Sequence, residues 1–128
     1  MEASKKPVEY DRISQASEAV KEIPKKDFQE MRSFNAPPEA VKDVLSATML
    51  LLGHPESEVN WTMIKKYLGK SGEESLQHKV GSNDFAKIPQ ENIKKAKAIL
   101  SKYDANRIAQ VSQAAKELYI WADAVVDN

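Results

Sequence analysis

With 128 residues, 41% of them apolar and 30% charged, the chain suits one domain with one modest hydrophobic core and is neither a disordered nor a collagen-like polymer. Nineteen Lys plus Arg balance nineteen Asp plus Glu, so no global charge draws the molecule to nucleic acid or an anionic membrane, and an acidic partner must meet a local basic patch. The absence of cysteine removes disulfides, thiolate catalysis and cysteine-ligated zinc together, and fits a reducing compartment. No apolar run reaches the roughly 18 residues of a membrane span, and Met1 to Pro7 lacks the apolar stretch of a signal peptide, so the expectation is a soluble intracellular protein.

From Val8 to Ile23 the apolar residues Ile13, Ala16, Val20 and Ile23 recur at spacings of three and four, the pattern of a coiled-coil seam. Pro24 ends or kinks that helix, because it lacks the N–H donor and crowds the carbonyl one turn back. A shorter helix from Lys25 to Phe34 follows, carrying Phe28 and Met31. Pro37 and Pro38 then suit a turn into a third helix, whose Ala40 to Leu52 stretch is apolar over most of its circumference and predicts the central helix of the domain, stopped at Gly53.

Asn60 predicts the cap of a short helix, Trp61 to Leu68, ended by Gly69. Between residues 70 and 87 the pattern is loop-like, with room for two helical turns from Glu74 to Val80. Pro89 opens a basic amphipathic helix to about Tyr103. Finally Ile108, Val111, Ala115, Leu118, Ala122 and Val125 keep a heptad rhythm, predicting one helix from Ala105 to Val126, roughly 33 Å long at about 1.5 Å per residue and partly protruding.

Six helical segments without an alternating strand predict an all-α domain. The heptad segments lie at opposite ends of the chain. Pairing them as an antiparallel coiled coil gives a stem that leaves at residues 1–24, a globular head at 25–104 and a return at 105–128, as in an insertion within a longer chain.

Stem, head and return stem, together with particular residues, resemble the tip of the dynein stalk. Pro24 stands where that family's outgoing helix carries a proline. Met31 to Gly53, with Ser33, Phe34, Pro37, Pro38, Val41 and Lys42 before a leucine-rich stretch, is similar to its Pro-Pro helix, and Trp61 to the tryptophan that follows. Ser112, Ala114 and Ala115 with Trp121 downstream resemble its return helix. The resemblance covers residues 10 to 127 and leans toward ciliary members through Ser33 to Pro38 and the Ala114–Ala115 pair. Gln110 departs from the family's Arg or Lys just before the return motif, and residues 69–88 match poorly.

The resemblance implies a non-catalytic module that grips the acidic surface of tubulin in a microtubule, attached through its stem to the rest of a dynein heavy chain and located on the cytoskeleton, in the axoneme of a cilium for ciliary members. It places Lys42 first among the contacts, with Arg107 and Gln110 at the mouth of the return helix next. Lys65 and Lys66, clustered with Lys70, are further candidates, although basic residues there also complement a helix dipole. Lys94, Lys95, Lys97 and Lys102 read as the wet face of an amphipathic helix, and Trp61 and Trp121 as core.

Small seam residues such as Ala16, Ala115 and Ala122 make shallow holes, so two registers of the stem are expected within a few kcal/mol of each other, with a shift of the Ile13–Ile23 helix against the Ile108–Val125 helix setting affinity.

Enzyme chemistry finds no footing. Gly69, Lys70 and Ser71 mimic the end of a phosphate loop, but Ile64 stands where its first glycine belongs, and no strand precedes it. His54 and His78 are too few and too far apart for a metal centre or a nucleophilic triad, so neither cofactor nor metal is expected. The rival reading is a helical adaptor whose heptad face at 108–125 recruits a partner helix.

Overall fold

The computed structural model of the chain describes residues 5–70, 75–82 and 87–127. These form eight α-helices: α1 Lys5–Lys21, α2 Lys25–Arg32, α3 Glu39–Leu51, α4 Trp61–Leu68, α5 Leu76–Ser82, α6 Gln90–Leu100, α7 Ala105–Val111 and α8 Gln113–Val126. One 3-10 turn, Glu56–Glu58, lies before α4, and no strand occurs among the described residues. Glu74, where the possible two turns were expected to begin, lies outside the described residues; the helix there is α5.

Most boundaries follow from local chemistry. Pro24, Pro38 and Pro89 each occupy the position before a helix in extended backbone, with φ near −60° and ψ near 140°, as a residue without an N–H can do at no cost. Asn60 caps α4 by accepting from the Met63 N–H at 2.9 Å, and Asp104 caps α7 by accepting from the Arg107 N–H at 2.8 Å. At the end of α3, Gly53 takes φ +100°, a left-handed conformation that favours glycine. Its N–H donates to the Leu50 carbonyl and that of His54 to the Met49 carbonyl, so α3 ends in a Schellman motif.

The expected single helix from Ala105 to Val126 is instead two. Ser112 is extended at φ −162°, ψ 126°, and its hydroxyl accepts from the Ala115 N–H at 3.1 Å, so it ends α7 and caps α8. A capping serine offers the backbone an alternative to continued helix, and here that alternative wins over the heptad rhythm. Two consequences correct the sequence reading. Val111, placed in the seam, is the last residue of α7 and 44% exposed. The return segment is also no long protruding rod: α8 spans roughly 21 Å at about 1.5 Å per residue and lies largely inside the molecule.

Two helices organise the core. Nine of the thirteen residues of α3 and nine of the fourteen of α8 are buried, and the two pack on each other. α6 covers both, α7 packs on both, and α1 lies on α8 and α5, while α2 packs on α4. Ile13, Ala16, Val20 and Ile23 of the outgoing segment are buried, as are Ala115, Leu118, Ala122 and Val125 of α8. Deleting a fully buried Leu45 or Leu118 side chain to alanine is expected to cost about 2–5 kcal/mol.

Buried polar groups tie the layers. The carboxamide of Asn92 in α6 donates to the Leu50 and His54 carbonyls at 2.9 and 3.0 Å, binding α6 to the end of α3. Thr48 returns its hydroxyl to the Val44 carbonyl at 2.9 Å within α3. Trp121 is wholly buried and its indole N–H has no hydrogen-bond partner, a cost of about 1–3 kcal/mol that the buried ring area offsets.

Candidate functional site

The start of α3, the end of α6 and the start of α7 meet in one corner. Lys42 is exposed in the first turn of α3, its N–H bonded to the Pro38 carbonyl at 3.0 Å. Its neighbour Asp43 is half-buried and accepts the Tyr103 hydroxyl at 2.7 Å, while the Lys102 ammonium stands 3.8 Å from the same carboxylate oxygen. Arg107 lies over the Tyr103 ring at 5.2 Å from its centroid, and its guanidinium also reaches the Lys102 carbonyl at 3.4 Å. Behind this stack the Tyr119 hydroxyl donates to the Tyr103 carbonyl at 2.8 Å.

The corner is therefore a clasp between residues 60 apart in sequence. Burial, then the hydrogen bond and charge of Asp43, push the Tyr103 phenol up to about 12, so it remains a neutral donor to the carboxylate. Burial likewise raises Tyr119. Gln110 and Val111 are both exposed at the end of α7, which packs on α3. The structure thus brings Arg107 and Lys102 onto one carboxylate–phenol pair, with Lys42 exposed at the residue before Asp43; Lys102, read as part of a solvated face, remains 59% exposed. Lys94 and Lys97 are indeed exposed, and Lys95 bridges Glu56 at 2.7 Å and Glu91 at 2.9 Å.

Lys65 and Lys66 lie elsewhere, on α4. Lys65 is half-buried and Lys66 exposed, and with Thr62 and Arg32 of α2 they line an open hollow of about 240 Å³. A second hollow of about 290 Å³ adjoins it through the shared Arg32 and is lined by Lys25, Phe28, Tyr67 and Lys70, among others. Lys70 stands over the Tyr67 ring at 5.0 Å, and His54 meets the same ring edge-on at 5.2 Å. Trp61, read as core, is half-buried and donates its indole N–H to the Phe34 carbonyl at 2.9 Å, tying α4 to the segment that leaves α2.

The stem junction has its own geometry. Pro24 is exposed, and α1 stops just before it at Lys21. The side-chain amide nitrogen of Gln77 in α5 lies 3.0, 2.8 and 3.0 Å from the carbonyls of Val20, Lys21 and Ile23, tying α5 to the carbonyls at and just beyond the end of α1. Ala16 and Val20 of α1 and Ala115, Leu118, Ala122 and Val125 of α8 are all buried within the chain, which leaves the heptad face of α8 no room for a partner helix and removes the basis of the adaptor reading.

A family model described as the microtubule-binding stalk of dynein motors matches residues 7–127. The chain belongs to the dynein stalk family. Relatives of this stalk domain include cytoplasmic dynein 2 heavy chain 1 of Caenorhabditis elegans, 32% identical over 116 residues, and dynein axonemal heavy chain 2 of Homo sapiens, 31% identical over 115, each match covering 88% of the chain. A dynein heavy chain-like protein of Plasmodium falciparum is 30% identical over 117 residues, or 90% of the chain. The stalk domain spans only about 2–3% of the length of these relatives. Cytoplasmic dynein 2 and axonemal relatives match it almost equally, so overall identity does not separate the two classes. The described side chains hold no cluster of three metal-ligating groups, and no described helix is long and apolar enough to cross a membrane.

Proposed function

We propose that this stalk domain grips tubulin through the α3–α7 corner, with Lys42 and Arg107 as the principal cations, Gln110 beside them, and Lys65 and Lys66 of α4 as outlying contacts. The observation that carries the reading is the clasp of Asp43, Tyr103 and Arg107, which holds one cation at a fixed place while Lys42 projects from the adjoining residue. Cations whose positions are set in advance lose little side-chain entropy on docking to an acidic surface. Val111, the last residue of α7, adds an exposed apolar side chain next to Gln110.

The same reading gives α1 and α8 the role of connecting the head to the remainder of a dynein heavy chain, an ATP-driven motor on the cytoskeleton, in cytoplasm or in the axoneme of a cilium. α1 packs on α8 and α8 packs on α3, so a displacement of α1 reaches Lys42 through a single intermediary. Ala16, Ala115 and Ala122, all buried, supply the small contacts over which such a displacement is cheap.

Microtubule co-sedimentation at two salt concentrations, with Lys42→Glu alongside, tests the contact. Pelleting indifferent both to salt and to the charge reversal would remove it. Disulfide crosslinking of α1 to α8 in two registers, through introduced cysteine pairs, tests the coupling, and equal microtubule affinity in both registers would sink that part alone.

A further inference from the structure

The cleft between α2 and α4 is a basic groove of which only Lys65 and Lys66, as outlying contacts, have been given a role. Its two hollows, about 290 and 240 Å³, share Arg32, and the charged side chains that line them are Lys25, Arg32 and Lys70 in the first and Arg32, Lys65 and Lys66 in the second. No carboxylate among the described residues lines either one, in a chain whose total charge is zero. Among the described residues, no ion pair holds Lys25, Arg32, Lys65 or Lys66.

The arrangement is elongated. Lys25 and Arg32 stand at opposite ends of α2, about 10 Å apart along its axis at about 1.5 Å per residue. A compact anion such as phosphate needs donors that converge on one point, whereas these cations are strung over a distance that about three residues of extended chain would cover. The floor between them includes Phe28 and Tyr67, apolar surface suited to the methylene portions of glutamate side chains. One cation has a defined neighbour: a Cβ built on Gly69 would stand 2.8 Å from the Arg32 Nε, so the guanidinium lies against the glycine that ends α4.

We propose that the α2–α4 cleft binds a flexible acidic peptide, a run of Glu or Asp side chains in extended conformation, separately from the α3–α7 corner. Arg32 is the central contact, with Lys65 and Lys66 on one side and Lys25 on the other.

Titration with a labelled synthetic oligoglutamate peptide, followed by fluorescence anisotropy, tests it. Saturable, salt-sensitive binding is expected. Lys65→Ala/Lys66→Ala is expected to weaken it about tenfold, and Lys94→Ala/Lys97→Ala, which removes the same charge from exposed α6 positions, to leave it within about twofold. Gly69→Ala is the sharper variant, because Gly69 has φ −92° and alanine fits its backbone while displacing only the flexible end of Arg32. At unchanged net charge it is expected to weaken the peptide about threefold with little change in thermal midpoint. Equal weakening by the α6 pair, no effect of Gly69→Ala, absence of saturable binding, or tighter binding of a single-stranded oligonucleotide of equal charge would each overturn the proposal. Lys42→Glu separates the two sites: loss of microtubule pelleting with an unaltered peptide titration is expected, and a failure of the pelleting arm leaves the cleft to be judged on the peptide alone.

Discussion

The α3–α7 corner and the α2–α4 cleft are both basic, yet Asp43 is built into the first and no described carboxylate lines the second. In the corner, Asp43 gives up part of the positive potential and in return fixes Tyr103, and through its ring Arg107, so the charges sit where a defined surface can read them. In the cleft no described carboxylate lines the wall, and the cations rest on uncharged surfaces, Arg32 against Gly69 and Lys70 over the Tyr67 ring. Fixed cations confer register and orientation. Loosely held ones confer attraction, which salt screens over about 8–10 Å.

The largest effect that bears on this contrast is expected from Lys42→Glu, which should weaken microtubule pelleting about tenfold, equivalent to about 1.4 kcal/mol. A smaller effect on pelleting than that of Lys65→Ala/Lys66→Ala would reverse the ranking of the two regions. Next comes the clasp itself. Tyr103→Phe removes a hydrogen bond to a half-buried carboxylate and is expected to cost about 1.5–3 kcal/mol, measured as a lower midpoint in urea unfolding, while the ring beneath Arg107 remains.

The same phenol sets an alkaline limit. Its folded-state value of about 12 lies above the ordinary 10.0, so its contribution is fully present below pH 10 and lost as pH rises toward 12. Tyr103→Phe should flatten that part of the pH–stability curve.

A smaller gain is expected from Gln110→Lys, which puts a cation at an exposed position beside the corner and should tighten pelleting about twofold to fivefold. The smallest effect concerns His54, which stands against Tyr67 of the cleft and whose imidazole is held below its ordinary 6.5 by burial, partly opposed by Glu58. A depressed histidine favours the neutral fold, so its contribution is present above pH 6.5 and lost as pH falls below it. A shallow decline in thermal midpoint below pH 6.5, absent in His54→Phe, checks the sign.

What was legible in the sequence was legible where the chemistry is local. Asn60, Asp104 and Gly53 act on backbone groups within a few residues, and the prolines at 24, 38 and 89 constrain their own dihedrals, so helix boundaries at those points could be read directly. The family motif singled out Lys42, which is exposed on α3, without revealing what surrounds it.

Features made by distant residues were not legible. Asp43 and Tyr103 are 60 positions apart, and Gln77 reaches carbonyls 54 to 57 positions away, separations to which no periodicity refers. Ser112 is the instructive intermediate. Its capping signal was present, but with no glycine or proline beside it the heptad rhythm carried the reading across, and Val111 was drawn into a seam from which the break excludes it. Arg32 was missed for another reason: its partner is the bare backbone of Gly69, a contact made by the absence of a side chain.

The Gln77 carboxamide also bears on how α1 is able to move. One nitrogen with two hydrogens serves three carbonyls within 3.0 Å, so the bonds are shared and none is independent of the others. Displacing α1 by even one residue, about 1.5 Å along its axis, disturbs all three at once. The end of the outgoing helix is thus seated in a mechanical detent. On the coupling proposed above, bonds that are lost together would turn a gradual strain arriving along α1 into a discrete step.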